Sequence, residues 1–377
     1  MDWDRIVDEE VVSGLVRLSR SGSEEGSSHE ATSELSAPDR LGRLRSSFRR
    51  PRVDADLGAA VAKGAGEALA KLRGEANPRL TVRELIGLEA VVIADGTRPS
   101  LRVRNGFVRL DRPDAQEWAP DLGFKEHAVR KVIAATGMIC VPVASGLAGT
   151  ALMVSDDCVL TNRHVAEAIA SEANGWKLNW PGKTGIDFVA EDSASIRPSF
   201  EVTEVVGAGP VRIGNQPSLA KLDYAILRIR PIGQAKPPAP IVRDHGLKIG
   251  EQLVLAPERT VYAVGIPGRP EPWSGPGDPP AYHETLQVIA ELFADMFGVK
   301  RLAPGRVTRL PAALPQGQGR VFAHDCSTLA GSSGSAVADL DVDGSCVAGL
   351  HFGGVSRSNN YAHGFAAIGD ELKRHGI

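Results

Sequence analysis

Residues 330–337 read Ala330-Gly331-Ser332-Ser333-Gly334-Ser335-Ala336-Val337. A serine set among small residues in the pattern G-x-S-G suits a nucleophile for a physical reason. Its hydroxyl must stand exposed on a tight turn, and the backbone on both sides must come close to a substrate. Glycine permits both the unusual dihedrals and the close approach. Two backbone N–H groups of such a turn can also point at a developing oxyanion. On its own the pattern does not separate a nucleophile from an ordinary Gly/Ser-rich loop.

Two further segments supply what the serine needs. In Leu160-Thr161-Asn162-Arg163-His164-Val165-Ala166 an apolar run ends in a polar turn that carries a histidine, and an apolar helical segment follows. A general base has to be held rigidly at the end of an ordered element. In Leu222-Asp223-Tyr224-Ala225-Ile226-Leu227-Arg228-Ile229 an aspartate opens an apolar strand. A buried carboxylate there can accept the imidazole proton, fix the tautomer and stabilise the imidazolium. Taken singly, His164 reads as a turn histidine and Asp223 as a strand-opening aspartate. Taken together, they occur in the order His, Asp, Ser, each at the edge of a predicted strand. That is the chain order of chymotrypsin, as against subtilisin and the α/β-hydrolases.

The segments between them are short β runs punctuated by Gly, Pro, Asp and Asn. The predicted strands are Met138–Val143, Thr150–Val154, Cys158–Thr161, Phe188–Val189, Phe200–Val206, Tyr224–Arg228, Gln252–Leu255, Thr260–Ile266, Gly305–Leu310, Ala336–Ala338 and Cys346–Phe352. Such spacing predicts a barrel or a sandwich. A helix is expected over 124–136, ended by Gly137, and another over 284–298.

Residues 1–122 differ in character from 123–377. Apolar residues from Trp3 to Leu18 recur at helical spacing, and residues 19–38 are Ser/Glu/Gly-rich, the composition of a flexible linker. Six arginines follow between 40 and 52 without an aromatic stacking platform, so they read as a solvated tether rather than a nucleic-acid patch. The whole of 19–53 is taken as a flexible linker. Helices are expected over 54–76 and from the capping-box spacing at Thr81, with short strands at Ala90–Ile93 and Leu101–Leu110 split by Asp-Gly and Asn-Gly turns. This gives two regions: an α-rich N-terminal part over 1–122 and a β domain over 123–377.

The three segments T-N-R-H-V-A, L-D-Y-A-I-L-R-I and G-S-S-G-S-A-V resemble the signatures of trypsin-like serine peptidases. The Gly-Ser-Ala after Ser333 is closer to the bacterial glutamyl endopeptidases and their intracellular relatives. Gly146–Val154, Val261–Pro267 and Gly349–Gly354 are similar to further strands of that family. The resemblance covers about 135–372. It implies a mainly β fold of two antiparallel six-stranded barrels with the active site between them. It implies His164 as general base, Asp223 as its orienter, Ser333 as nucleophile, and the N–H groups of Gly331 and Ser333 as the oxyanion hole. No metal and no cofactor is required, and the partner is a protein or peptide substrate.

One departure matters. Digestive members carry an Asp just before the nucleophile, which pairs with a freed N-terminus on activation. Here that position is Ser332, so the ion pair cannot form, and regulation by residues 1–122 would have to work by occlusion or through a protein partner. The pocket positions implied by the resemblance are Ser327, Thr328, His351 and Gly353. Ser327 at the pocket base argues against a basic P1 residue, because a buried unpaired cation is costly. Thr328 and His351 are suitable donors for a carboxylate. An acidic preference and a small or apolar one both stay open.

The chain has 377 residues, 42% of them hydrophobic, with 41 Gly and 25 Pro, which suits a loop-rich β protein. A net charge of -3 gives no reason to expect nucleic acid or an anionic membrane as partner. The acidic N-terminus lacks a leader pattern and no apolar stretch reaches membrane-span length, so a cytoplasmic protein is expected. Cys140, Cys158, Cys326 and Cys346 form no CxxC pair and read as buried thiols, with a Cys326–Cys346 bridge across one hairpin as the alternative. Two function classes stand side by side: an active intracellular endopeptidase, and a catalytically inactive interaction module on the same fold. The complete triad favours the first.

Overall fold

Short apolar runs broken by Gly, Asn and Asp become antiparallel strands. The computed structural model describes residues 97–143, 146–191, 197–213, 219–241, 258–269, 289–290, 293–314, 317–341, 344–354 and 360–377. Along these the elements are β1 (Leu101–Arg104), β2 (Phe107–Val108), α1 (Ala119–Phe124), α2 (Glu126–Ala135), β3 (Thr136–Cys140), β4 (Leu147–Met153), β5 (Cys158–Thr161), α3 (Arg163–Ile169), β6 (Ala170–Glu172), β7 (Trp176–Leu178), β8 (Gly185–Asp187), β9 (Phe200–Ala208) and β10 (Ala225–Pro231). They continue with β11 (Thr260–Gly265), β12 (Arg301–Arg309), β13 (Val321–His324), β14 (Ala336–Asp339), β15 (Cys346–Gly354), β16 (Asn360–Gly364) and α4 (Phe365–Arg374).

The first six-stranded barrel closes in the order β10-β5-β4-β3-β8-β9. β3 and β5 are buried along their whole length, which is why they read as continuous apolar runs rather than alternations. The second closes as β11-β14-β15-β16-β13-β12, with β11 pairing back onto β12. The expected two-barrel, mainly β fold is therefore what the chain forms. Both barrels lie in one compact unit, made of Ser100–Asp111, Ala115–Pro270 and Met296–Ile377. The other unit, Met1–Pro99 with Arg112–Asp114 and Glu271–Asp295, falls mostly outside the described residues.

Register places the candidate site. Ala225 pairs with Thr161 at one end of the β10–β5 ladder. Asp223 precedes that pair by two residues and His164 follows it by three, so both leave the barrel at the same end. α4 buries Phe365, Ile368 and Leu372, and Glu371 on it accepts the Tyr224 hydroxyl at 3.0 Å, which ties the chain beside Asp223 to the C-terminal helix.

Several expectations are corrected. Phe188–Val189 is not a strand. The Asp187 carboxylate accepts the N–H groups of Val189 (2.9 Å), Ala190 (3.1 Å) and Arg197 (2.9 Å), which ends β8 and turns the chain. Gly137 does not end a helix. The Thr136 hydroxyl donates to the Val132 carbonyl at 2.8 Å as the chain becomes extended, and Gly137 lies in β3, where a Cβ would meet Ile186 and Phe188. Of the helix expected over 284–298, residues 289–290 are helical and 293–298 are not, with Ala294 and Asp295 at φ 50° and 52°. The strand Gln252–Leu255 and every expected element before residue 97 lie outside the described residues. β13, β16, the β6–β7 hairpin and α4 had no sequence expectation.

Within Leu101–Leu110 the Asn-Gly turn expected from the sequence forms, pairing β1 with β2 as a hairpin. Asn105 and Gly106, at φ 54° and 75°, make the turn that an Asn-Gly pair favours between strands. β1 then adds to the second barrel, Leu101 pairing with Leu302. Part of 1–122 is thus built into the sheet of the region 123–377.

Candidate active site

His164 is the second residue of α3, two residues after Asn162, the N-cap. Asn162 does not cap with its side chain. Its amide donates instead to the Asp223 carbonyl at 2.8 Å, lashing the two segments together. Arg163 is 3% exposed and holds the helix start from the other side. Its guanidinium pairs with Glu167 at 2.8 Å and with Glu172, donates to the Gly209 carbonyl, and lies over the Trp176 ring.

The Asp223 carboxylate is fully buried and accepts two hydrogen bonds from one residue. The His164 backbone N–H reaches Oδ1 at 3.0 Å and ring Nδ1 lies 2.6 Å from Oδ2. With Nδ1–H held by the carboxylate, Nε2 is the ring's basic nitrogen. The backbone N–H of Asp223 donates to Nε2 of His363 at 3.0 Å. That nitrogen must therefore carry a lone pair. Burial pushes the His363 imidazole down to about 4, and Asp223 only partly opposes the shift. The ring stacks on Phe352 with centroids 4.2 Å apart.

Ser333 is half-buried on a turn whose two glycines, Gly331 and Gly334, take φ of +93° and +91°. A Cβ on Gly334 would fall on the Thr150 carbonyl, and one on Gly331 would lie 2.8 Å from the Ile266 carbonyl. Both glycines of G-x-S-G are thus required by dihedral and by space.

The carbonyls of this turn are all engaged. Ala330 O accepts Gly268 N–H at 2.6 Å, and Gly331 O accepts the Thr150 hydroxyl at 2.9 Å. Ser332 O accepts both the N–H (2.9 Å) and the hydroxyl (2.5 Å) of Ser335, and Ser333 O accepts Thr150 N–H at 2.8 Å. In a trans peptide the N–H points away from its carbonyl. The N–H groups of Gly331 and Ser333 are therefore turned to the opposite side, and among the described residues neither donates to a backbone carbonyl.

The same locus holds the histidine. A Cβ on Gly149 would sit 2.9 Å from the Val165 methyls and 3.3 Å from Ser333 O, so Val165, next to His164, and Ser333 flank one glycine. Gly334 N–H donates to the His351 carbonyl at 2.9 Å, linking the turn to β15.

The pocket positions divide. Ser327 and Thr328 are half-buried and line a small pocket with Ser332, Ser335, Gly265 and Arg301. Ser332, in the place of the activation aspartate, takes the Leu329 N–H on its hydroxyl at 3.3 Å. Gly353 is half-buried near the end of β15. His351 is 2% exposed and does not line that pocket. Its Nδ1 is 3.3 Å from Nε2 of the fully buried His324. Burial and the neighbouring His164 push His351 down to about 3, so its unliganded ring is neutral. The Asp325 carboxylate accepts the Arg306 N–H at 2.6 Å.

Thr150, Asn162, Arg163, His324 and His363 had not been singled out from sequence. Apart from Arg163, whose ion pairs are local, each acts through a partner distant in the chain, so no local pattern marks it. The run Val321-Phe322-Ala323-His324 was the available signal for His324.

Residues 149–348 match the family described as the trypsin-like peptidase domain. The chain belongs to the trypsin-like peptidase family. This trypsin-like peptidase is 33% identical over 314 residues to a Lysobacter enzymogenes protein named "probable serine protease", a match spanning 79% of this chain and 77% of that one. Among solved structures it is similar to the inactive form of a serine-to-alanine variant of Rv3671c from M. tuberculosis, with TM-score 0.38 and 17% identity, covering 70% and 94% of the two chains. A Glu endopeptidase bound to MPD gives TM-score 0.40 and 18% identity, covering 65% and 90%. The activity that goes with this membership is serine endopeptidase, acting on protein substrates. Among the described residues of this trypsin-like peptidase, no helix is long and apolar enough to cross a membrane.

Proposed function

We propose that this serine endopeptidase cleaves peptide bonds through an acyl-enzyme on Ser333, with His164 as general base and Asp223 as its orienter. The observation that carries the reading is the 2.6 Å contact of His164 Nδ1 with the buried Asp223 carboxylate, at the same locus as the glycine-bounded serine turn. Ser333 Oγ attacks the substrate carbonyl and passes its proton to His164 Nε2. The oxyanion of the tetrahedral adduct takes hydrogen bonds from Gly331 and Ser333 N–H. The adduct collapses, the C–N bond breaks, and His164 gives the proton to the leaving amine. A water molecule then repeats the sequence on the ester, losing its proton to His164 and freeing Ser333. A cleavage profile of the purified chain on a proteome-derived peptide mixture tests this; no Ser333-dependent cleavage would overturn it.

The same reading gives the enzyme an acidic P1 preference, through Thr328 and His351. A neutral His351 can still serve as donor, since His324 Nε2–H donating to His351 Nδ1 leaves the proton of His351 on Nε2. Hydrogen bonds to a charged group contribute about 1.5–3 kcal/mol, so His351→Ala is expected to lower the Glu-over-Gln ratio of kcat/KM by about ten- to a hundredfold. An unchanged ratio, or a wild-type profile without acidic enrichment, contradicts it. The burial of His351 favours the competing reading, a small or apolar pocket with His351 as a wall residue.

Residues 1–122 are assigned a regulatory role that runs through a protein partner, in a cytoplasmic setting where the thiols of Cys140 and Cys158 stay reduced. The support is that β1, which belongs to 1–122, is paired onto β12 of the second barrel. Removing residues 1–96, which spares β1, is expected to change the rate on a protein substrate at least about threefold, or the response to partner, by relieving occlusion. Identical kinetics and partner binding would end this part of the reading.

A further inference from the structure

The glycines that make the serine turn possible also make it soft. Gly331 and Gly334 place little restriction on the peptides between them. A rotation of either peptide would put a carbonyl where an N–H must meet the oxyanion. The ion pair that anchors this turn in digestive relatives cannot form on Ser332. Something else must hold the turn, and the hydrogen bonds show what does.

Thr150 on β4, in the first barrel, is fully buried and makes four contacts at this place. Its N–H donates to Ser333 O at 2.8 Å, and its hydroxyl donates to Gly331 O at 2.9 Å. The same hydroxyl accepts the Ile266 N–H at 3.0 Å, from the end of β11 in the second barrel. Its own carbonyl accepts the Thr161 hydroxyl at 2.7 Å, and Thr161 closes the strand that leads to His164. The hydroxyl therefore has one donor and one acceptor contact, both to backbone of the second barrel. The carbonyls of Gly331 and Ser333 that it holds lie on either side of the peptide carrying the Ser333 N–H.

We propose that Thr150 is a positioning residue that locks the oxyanion-hole N–H groups of Gly331 and Ser333 into place from the opposite barrel. The side chain does this with its hydroxyl, since the backbone contact to Ser333 O needs no particular residue. The inference rests on the assignment of Ser333 as nucleophile and adds to it a preformed hole.

The test compares Thr150→Val, which keeps the shape and removes the hydroxyl, with Thr150→Ser, which keeps the hydroxyl, both in the full chain. A displaced oxyanion donor lowers the chemical step, so kcat of Thr150→Val is expected to fall about 10- to 100-fold while KM stays within about threefold. The affinity for a peptide aldehyde, whose adduct places an oxyanion in the hole, should fall by the same factor as kcat/KM. Thr150→Ser should recover kcat to within about threefold of wild type. Wild-type kcat in Thr150→Val overturns the proposal, as does a loss that leaves aldehyde affinity unchanged or that Thr150→Ser shares. If Thr150→Val does not fold by circular dichroism, Thr150→Cys decides, because the thiol is a poor donor of similar size. Its kcat must fall with KM held, and a wild-type kcat refutes the role. Ser333→Ala separates the two levels: activity surviving in that variant removes the underlying assignment, whereas a dead Ser333→Ala beside a normal Thr150→Val removes only the clamp.

Discussion

Replacing Ser333 by alanine is expected to lower kcat on a peptide substrate by about 10⁶-fold, to the background set by binding and the oxyanion hole alone. The variant loses the only atom that forms the covalent intermediate, while Gly331, Ser333 N–H, His164 and Asp223 stay in place. The fold should not suffer. Among the described residues the Ser333 side chain makes no hydrogen bond that the turn depends on; its carbonyl and the neighbouring Ser332 and Ser335 hold the turn. Thermal melting should therefore be unchanged while turnover disappears. A variant that melts normally and still cleaves at more than about a hundredth of the wild-type rate would place the nucleophile elsewhere.

Asp223→Asn should cost about 10⁴-fold in kcat, the second-largest effect. The buried carboxylate is an acceptor on both oxygens, for the His164 N–H and for ring Nδ1–H. An amide in its place keeps one acceptor oxygen and presents an NH₂ on the other side. With the amide oxygen on the backbone N–H, the NH₂ faces Nδ1 and forces the ring proton onto Nε2. The base is then protonated on the nitrogen that must take the Ser333 proton. The backbone ties of Asp223 to Asn162 and His363 do not involve the carboxylate, so the segment should keep its position. KM should change little. A loss under about tenfold would show that the carboxylate does not set the tautomer.

The sequence exposed the chemistry better than its supports. His164, Asp223 and Ser333 could be proposed from sequence because each sits at a strand edge in a local context that the proposed chemistry demands, and the structure places His164 Nδ1 2.6 Å from the Asp223 carboxylate. Gly331 and Gly334 were legible for the same reason, and their φ values and clashes bear out the physical argument. The barrel strands were legible where runs of apolar residues were bounded by turn residues, as at Cys158–Thr161 and Thr260–Gly265. Phe188–Val189 failed because an aspartate side chain, Asp187, captures three N–H groups and competes with the ladder. β13 and β16 went unread because short strands in a barrel are set by partners on either side, not by their own pattern. Thr150 and His363 belong to the same class. Thr150 matters through Gly331, 181 positions away, and His363 through Asp223, 140 positions away. His351 was expected at the pocket, on the strand before Gly353, whereas it is buried against His324, a contact that depends on how the barrel closes.

The central claim is that Ser333, activated by His164 and Asp223, attacks the substrate. Treatment of the purified full chain with a fluorophosphonate, followed by peptide mapping by mass spectrometry, tests it most directly. One adduct on Ser333 is expected, absent from Ser333→Ala and strongly slowed in Asp223→Asn. An adduct on another residue, or equal labelling of the Ser333→Ala chain, would contradict it.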